Sequence, residues 1–439
     1  MAIKKRPFWL SRDYGRFDAL NGDVETEVAI IGGGITGVSA AYHLGEEGVD
    51  SVLLEKDSIA SGATGHSMGG LVPGIEQEDI WQSIEKYGEG RTRTIWEASN
   101  GAIDEMAALC ANWIECDFVR GPAFDLVEDK RELGFLGREH EAARRCGIET
   151  NIMDAAQIRD RLAVCDSMAG ALEYTKCAQM NPAAFVHGLA GKAKKQKGGI
   201  FEHTGARRIA HAQGGLKIST DRGSVRAKKL IIAAESYTPD LGFLKNRMTT
   251  LRINALATER LDSSSMDKLG MRGAQAWNMS RDYNFVRSTA DSRVIIDGGD
   301  SLSVASGDMP QEHRIEEIHS RLLDLFPMME EIGVEFEWSG RMAAPIKHVP
   351  VLNGLVNAIT SVVDIRLTLP LVERIGVCMI SMPFLGRVGK TADIFCSAGY
   401  IGHGLPLGFL GGKVLGELCT GSVSEDSAKL LRAYEPRQS

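Results

Sequence analysis

No uninterrupted apolar run in the 439-residue chain reaches the ~20 residues that cross a bilayer as a helix, so no membrane span is expected. Positive charge is not in excess either. Against 58 acidic residues stand 50 basic ones, a net charge of −8, which leaves a general nucleic-acid role without electrostatic support. The short cluster Lys192, Lys194, Lys195 and Lys197 reads as a solvated helix end. Cysteine is sparse and scattered: Cys110, Cys116, Cys146, Cys165, Cys177, Cys378, Cys396 and Cys419 form no CxxC pair and no zinc-like spacing. That suits reduced thiols in a cytoplasm, and no metal is expected. The N-terminus has lysines but no apolar core of signal-peptide length, so the expected location is cytoplasmic. A Ser-His-Asp order and a P-loop are absent as well.

What is present is a strand, turn, helix, strand and acid in register over residues 27–55, EVAIIGGGITGVSAAYHLGEEGVDSVLLE. Gly32 permits a tight turn, Gly34 lets the backbone approach a pyrophosphate, and Gly37 lets the helix lie against the strand. The free N–H groups and dipole at the helix start, around Ile35 and Thr36, then face the phosphates. Glu55, 23 residues after Gly32, is placed to accept hydrogen bonds from an adenosine ribose. An acid there disfavours a 2′-phosphate, so FAD or NAD is expected rather than NADP.

Residues 1–23 read as an arm that packs across the protein. A Gly/Ser-rich segment, 58–74, follows the ribose acid, and its position suggests backbone amides laid along a ligand. Residues 80–160 read mainly as amphipathic helices. Asn181 and Pro182 cap and start a helix, and a meander of strands leads to the buried strand 229–234, with Ala233 and Ala234 at its end. Strands over 251–260, 285–289 and 293–298 alternate like an antiparallel sheet, and 312–325 is helical. Residues 355–388 are rich in Val, Ile, Leu, Met and Pro; a buried hairpin or oligomer contact is favoured over a membrane-touching patch. The strand 393–397 then enters a second Gly-rich turn and helix, AGYIGHGLPLGFLGG. A soluble NAD dehydrogenase would not need this second element, which tips the cofactor to FAD.

In order along the chain, PFWL, GGGITG with Glu55, GATGHSMGG, ALATERL, NFVRSTADSRVIIDGG, EWSGR with Pro350 following, and SAGYIGHG resemble the flavoprotein superfamily of D-amino-acid oxidase, glycine oxidase and monomeric sarcosine oxidase. The branch most similar is that of gamma-glutamylputrescine oxidoreductase. The resemblance implies a mixed α/β and α+β fold, with a discontinuous Rossmann-like FAD-binding domain (24–100, 165–240 and 389–425). An antiparallel-sheet substrate domain (101–164 and 241–388) would cover the flavin, with an insertion at 355–388. It implies cofactor contacts from Gly32, Gly34, Ile35, Thr36, Gly37, Glu55 and Lys56. The loop Gly62, Ala63, Thr64, His66, Ser67, Met68, Gly69, Gly70 and Leu71 would run along the cofactor. Arg208, Ala233, Ala234 and Tyr237 would join them, and Gly399, Gly402, His403, Gly404 and Leu405 would place amides near the flavin pyrimidine, favouring reduced flavin.

Three departures from the family pattern bear on function. Gly62-Ala63-Thr64-Gly65-His66 matches the spacing of relatives whose histidine carries flavin covalently but lacks their Trp, so the expectation is noncovalent FAD. Met342 stands where glycine oxidase-like enzymes place a carboxylate-binding Arg; Arg341 is adjacent, and a one-residue step along a strand reverses its face. Arg287 is a candidate replacement, against a structural ion pair for either arginine. The third departure is 355–388, longer than in ordinary relatives and a candidate for an oligomer or peripheral membrane contact. The implied reaction is oxidation of a C–N bond in an amine or amino acid, hydride passing to flavin and the imine hydrolysing, with His348 or Tyr283 as candidate helpers in deprotonation. Oxygen, a quinone or another protein would take the electrons. The alternatives are a nonenzymatic FAD-binding subunit of a dehydrogenase complex and 2-hydroxy-acid oxidation on the same fold.

Overall fold

The strand Gly22–Ile31 ends in four consecutive buried residues, Val28 to Ile31, and its neighbour Ser51–Leu54 is buried throughout. Strands without a polar face belong inside a parallel sheet covered on both sides, where each fully buried Val, Ile or Leu contributes ~1.5–3 kcal/mol. The computed structural model, which describes residues 3–75, 79–196, 198–278, 284–302, 312–346 and 382–435, has that arrangement. Gly22–Ile31 lies at the centre, parallel to Ser51–Leu54 on one side and Gly223–Ile232 on the other. Gly198–Phe201 and Ile394–Ala398 extend the parallel part, Phe384–Arg387 closes one edge antiparallel, and Arg208–Ala212 and Gly215–Ser219 form an antiparallel excursion.

Two helices of this layer touch at unusually short range. Helix Ile35–Glu46 and helix Gly404–Thr420 approach so closely that a Cβ on Gly412 would lie 2.4 Å from the Thr36 carbonyl oxygen. Ser39 Oγ fastens the pair by donating to the Phe409 carbonyl at 2.6 Å. The glycines of the last helix therefore serve helix packing as well as the turn before it. The helix Pro182–Gln196 starts where Asn181 Oδ1 accepts the Ala184 N–H at 3.0 Å, and Lys192, Lys194 and Lys195 lie in its C-terminal half.

The second layer is a larger, mostly antiparallel sheet. Its strands run, edge to edge, Lys4–Lys5, Val334–Pro345, Met248–Thr258, Val294–Leu302, Asn284–Ser288, Gln275–Asn278, Val119–Val127, Gly170–Gln179 and Gly70–Leu71, with Thr150–Asp154 also on Gly170–Gln179. Gly170–Gln179 and Gly70–Leu71 thus pair with this sheet although they fall within the ranges expected for the FAD-binding part. Conversely, Phe384–Arg387, inside the expected insertion 355–388, pairs with the parallel sheet. The rest of that segment up to residue 381 lies outside the described residues. The N-terminal arm packs down: Trp9 is 1% exposed and its indole N–H donates to the Ser67 carbonyl at 2.8 Å. Among the described residues no helix is long and apolar enough to cross a membrane.

Candidate active site

The turn after Gly22–Ile31 is closed by two contacts that only hydrogen atoms fit. Gly32 has φ +113° and a Cβ there would lie 2.3 Å from the Ala233 carbonyl oxygen; one on Gly37 would lie 1.9 Å from the Gly32 carbonyl oxygen. Glu55, buried at the end of the next strand, braces the same turn. Its carboxylate accepts the Gly33 N–H at 2.7 Å and the Asp57 N–H at 2.8 Å, while burial holds its carboxyl above the usual range. The Ile35 N–H at the helix start donates to Thr64 Oγ1 at 3.0 Å, which draws the Gly/Ser-rich loop over the turn. Further along that loop His66 Nδ1 lies 2.9 Å from the Gly62 carbonyl, and the His66 carbonyl accepts the Trp338 indole N–H at 3.0 Å.

These elements open onto a cavity of about 980 Å³ that runs between the two sheets. Gly32, Gly34, Ile35, Thr36, Glu55 and Lys56 line it, and so do Gly62, Ala63, Thr64 and His66 through Gly70. Ala233, Ala234 and Tyr237 border it, with the Lys56 ammonium 3.8 Å from the Tyr237 ring centroid, as do Gly402, His403, Gly404 and Leu405. Four residues lie elsewhere. Gly37 is spent on packing beneath Gly32, and Gly399 stands behind the wall, its N–H donating to Glu235 at 2.9 Å. Leu71 is fully buried in the hydrophobic core, and Arg208 is exposed on its strand while its neighbour Arg207 reaches the cavity rim and pairs with Asp221 at 2.7 Å.

The opposite wall is the large sheet, and one row of cross-strand neighbours builds it. Asp297 carries the Phe285 N–H at 3.0 Å, Trp277 pairs with Phe285, and Asp125 pairs with Trp277. Paired residues share a face, so four strands each contribute one side chain to the cavity. The Trp277 and Phe285 rings stack at 6.5 Å, and Tyr174 leans on Trp277 at 5.5 Å. Asp125 is 3% exposed and its carboxyl is held well above the usual range, first by burial and then by the neighbouring Asp79 and Glu139. Glu139 accepts the Ile80 and Trp81 N–H groups at 2.8 and 3.2 Å and the Tyr174 hydroxyl at 2.9 Å. Asp79, which caps the helix Ile80–Tyr87, is pushed up to about 7 by burial first and Glu139 second.

The two arginines considered for a substrate carboxylate differ. Arg287 lies on the same sheet face as Phe285, two residues away, but the loop covers it. It is 2% exposed and donates to the carbonyls of Gly69 (2.6 Å), Met180 (3.0 Å) and Ser288 (3.0 Å); it does not line the cavity, and among the described residues it forms no ion pair. Arg341 does line the cavity, 5.7 Å from the Tyr237 ring centroid, and Met342 lines it too. Tyr283 and His348 lie outside the described residues. Sequence reasoning missed Asp125, Trp277, Asp297 and Glu235. Asp125 carried a readable signal, a lone charge in the otherwise apolar AFDLV strand.

A family model for FAD-dependent oxidoreductases (DAO) matches residues 27–418. The chain belongs to the DAO family of FAD-dependent oxidoreductases. It is 26% identical over 419 residues to gamma-glutamylputrescine oxidoreductase of Escherichia coli (strain K12), covering 94% of this chain and 88% of that protein. Probable oxidoreductase OrdL of Haemophilus influenzae is 24% identical over 421 residues, covering 92% and 87%. Among solved structures, glycine oxidase from Geobacillus kaustophilus superposes with a TM-score of 0.74 at 16% identity, covering 92% of this chain and 96% of that one. The cofactor of this DAO-family chain is FAD. The residues present fit it: Gly32 and Gly37 let the turn close where any Cβ would clash, the buried acid Glu55 follows the turn and braces it through the Gly33 N–H, and the cavity continues past the turn to the wall of the large sheet.

Proposed function

We propose that this flavoenzyme oxidises a C–N bond of an amine. The observation that carries the reading is the composition of the sheet wall facing the cofactor side of the cavity, where Asp297, Phe285, Trp277 and Asp125 form an acidic and aromatic row. Such a wall favours a cationic or apolar guest over an anionic one. Two further features agree: the resemblance to glycine oxidase-like enzymes implies a carboxylate-binding Arg where this chain has Met342, and Arg287 is committed to backbone carbonyls.

In this reading Gly32, Gly34 and the start of helix Ile35–Glu46 receive the pyrophosphate, Glu55 the adenosine ribose, the loop from Gly62 to Gly70 lies along the cofactor, and Gly402 to Leu405 present amides to the flavin. FAD, when bound, would supply the acceptor for a hydride from the carbon beside a deprotonated amine nitrogen; the iminium ion left behind is hydrolysed by water. The chain's own residues hold that carbon at close range and keep bulk water out. The test is anaerobic bleaching of the holoenzyme by a panel of amines, N-methyl amino acids, D-amino acids and 2-hydroxy acids. Amines are expected to bleach it. Bleaching by hydroxy acids alone, or by nothing in the panel, would overturn the reading. Readmitting air then separates an oxidase from a dehydrogenase by the speed at which colour returns.

A further inference from the structure

Among the buried acids of the cavity, Asp125 has the least to do inside the protein. Glu139 already accepts two helix-start N–H groups and a tyrosine hydroxyl, and Asp79 caps the helix it precedes. Asp125 sits mid-sheet at 3% exposure with the Trp277 side chain as its hydrogen-bond partner, and among the described residues no basic side chain pairs with it. A carboxyl group buried without a cation is costly, and it is more so with two other acids beside it. A second, independent observation comes from the helix Glu89–Asn112, whose Trp96 shares a buried cluster with Ile80 and Tyr174. Trp96 is 5% exposed, lines the cavity, and among the described residues its indole N–H has no hydrogen-bond acceptor. Buried donors are nearly always paired, so this one awaits an oxygen atom delivered from the cavity. Trp277 and Tyr174 add two aromatic faces at the same end, the surfaces on which a desolvated ammonium is stabilised.

We propose that the end of the cavity walled by Asp79, Asp125, Glu139, Trp96, Tyr174 and Trp277 binds a second cationic nitrogen of the substrate, distant from the nitrogen that is oxidised. The substrate class is then a molecule with two separated ammonium groups, with Asp125 the ion-pair partner of the remote one. This rests on the amine reading above and narrows it. The remote ammonium supplies the missing counter-charge, and an oxygen beside it, or a water it orders, accepts the Trp96 N–H.

The holoenzyme is titrated anaerobically with α,ω-diamines of three to eight carbons and with the n-alkylamines of the same lengths. The flavin absorbance perturbation that precedes bleaching gives the dissociation constant, and the bleaching gives the rate. Diamines of one optimal length are expected to be preferred over the matching monoamine by about 100-fold in the ratio of rate to dissociation constant. Asp125→Asn, which keeps shape and a hydrogen bond to Trp277, is expected to shrink that preference at least about tenfold. Equal use of diamines and monoamines by the unaltered enzyme would overturn the proposal while leaving amine oxidation standing, and so would an unchanged preference in D125N. If D125N does not fold, the preference of the unaltered enzyme and its loss in Asp79→Asn decide. If no amine bleaches the flavin, the amine reading itself has failed. The remote site is then judged on binding alone: a diamine that perturbs the flavin spectrum at lower concentration than the monoamine supports it, and equal or absent perturbation overturns it.

Discussion

Replacing Arg287 by Gln separates two roles that look alike in sequence, a substrate carboxylate clamp and a clasp on the protein's own loop. The guanidinium donates to three carbonyl oxygens and stacks over Trp9, its carbon 5.2 Å from the ring centroid. Each such charge-assisted bond contributes roughly 1.5–3 kcal/mol gross, opposed by the cost of holding a cation away from water, a cost visible in the lowering of its pKa to about 9. The Gly69 carbonyl keeps a second donor, the Met180 N–H at 2.9 Å, so truncation removes the guanidinium donor chiefly from the Met180 and Ser288 carbonyls. The net loss is therefore about 2–4 kcal/mol rather than the sum of three bonds. Because Gly69 and its neighbours line the cavity, FAD retention should fall together with stability. Arg287→Gln is expected to lower the thermal midpoint by several degrees and raise the FAD dissociation constant about tenfold. Arg287→Lys should recover part of the charge but not the fork. An unchanged midpoint and flavin content, with a raised KM for carboxylate substrates, would refute the clasp and restore the clamp.

Gly37→Ala places a methyl group 1.9 Å from the Gly32 carbonyl oxygen, so the turn must open. It is expected to destabilise the protein by ~1–3 kcal/mol and yield apoprotein, read as flavin per chain after gel filtration. Glu235 is held up to about 7 by burial, although its carboxylate accepts the Ala343 and Gly399 N–H groups at 3.1 and 2.9 Å. A carboxyl raised in the folded state contributes stability that is complete below about pH 4.5 and is lost as pH rises through 7. Unfolding free energy should thus decline between pH 5 and 8 by at most ~3 kcal/mol, less where cavity water screens the charge. Glu235→Gln should reduce that slope in urea titrations across pH, and a slope that survives unchanged would assign it to the other buried carboxyls held high, Asp79, Asp125, Glu139 and Glu55. The segment from Gly62 to His66 lacks the Trp of relatives with covalent flavin, so acid precipitation is expected to release all flavin into the supernatant, and a yellow pellet would show covalent attachment.

The nucleotide half was legible because its information is local. Gly32, Gly34, Gly37 and Glu55 fall within one βαβ unit, where strand, turn and helix periodicity fix their relative positions without help from elsewhere. The sheet wall was not legible for the opposite reason. Asp125, Trp277, Phe285 and Asp297 sit on four strands, and they become neighbours only through pairings whose register no single segment encodes. Arg341 shows the limit of period-two reasoning. A one-residue step from Met342 reverses its face on an ideal strand, yet both residues line the cavity. Arg208 failed by one residue: Arg207, just before the strand, is the one at the rim.

The Gly/Ser-rich loop over the cofactor side has little reason to be ordered by itself, since glycine loses more conformational freedom on folding than any other residue. Its order comes from the large sheet. Arg287 holds the Gly69 carbonyl from 218 residues away, Trp338 holds the His66 carbonyl from 272 residues away, and Trp9 of the N-terminal arm holds the carbonyl of Ser67 between them. Three successive parts of the loop are thus pinned, two by donors of the large sheet and one by the N-terminal arm. Glu235 makes the corresponding stitch from the other layer, at a left-handed φ of +45° that is unfavourable for a residue with a side chain, by accepting amides from both Ala343 and Gly399. The large sheet therefore does more than wall the substrate space. It shapes the loop that lines the cavity, so that a change in the sheet far from the Gly32 turn is expected to alter how firmly FAD is held.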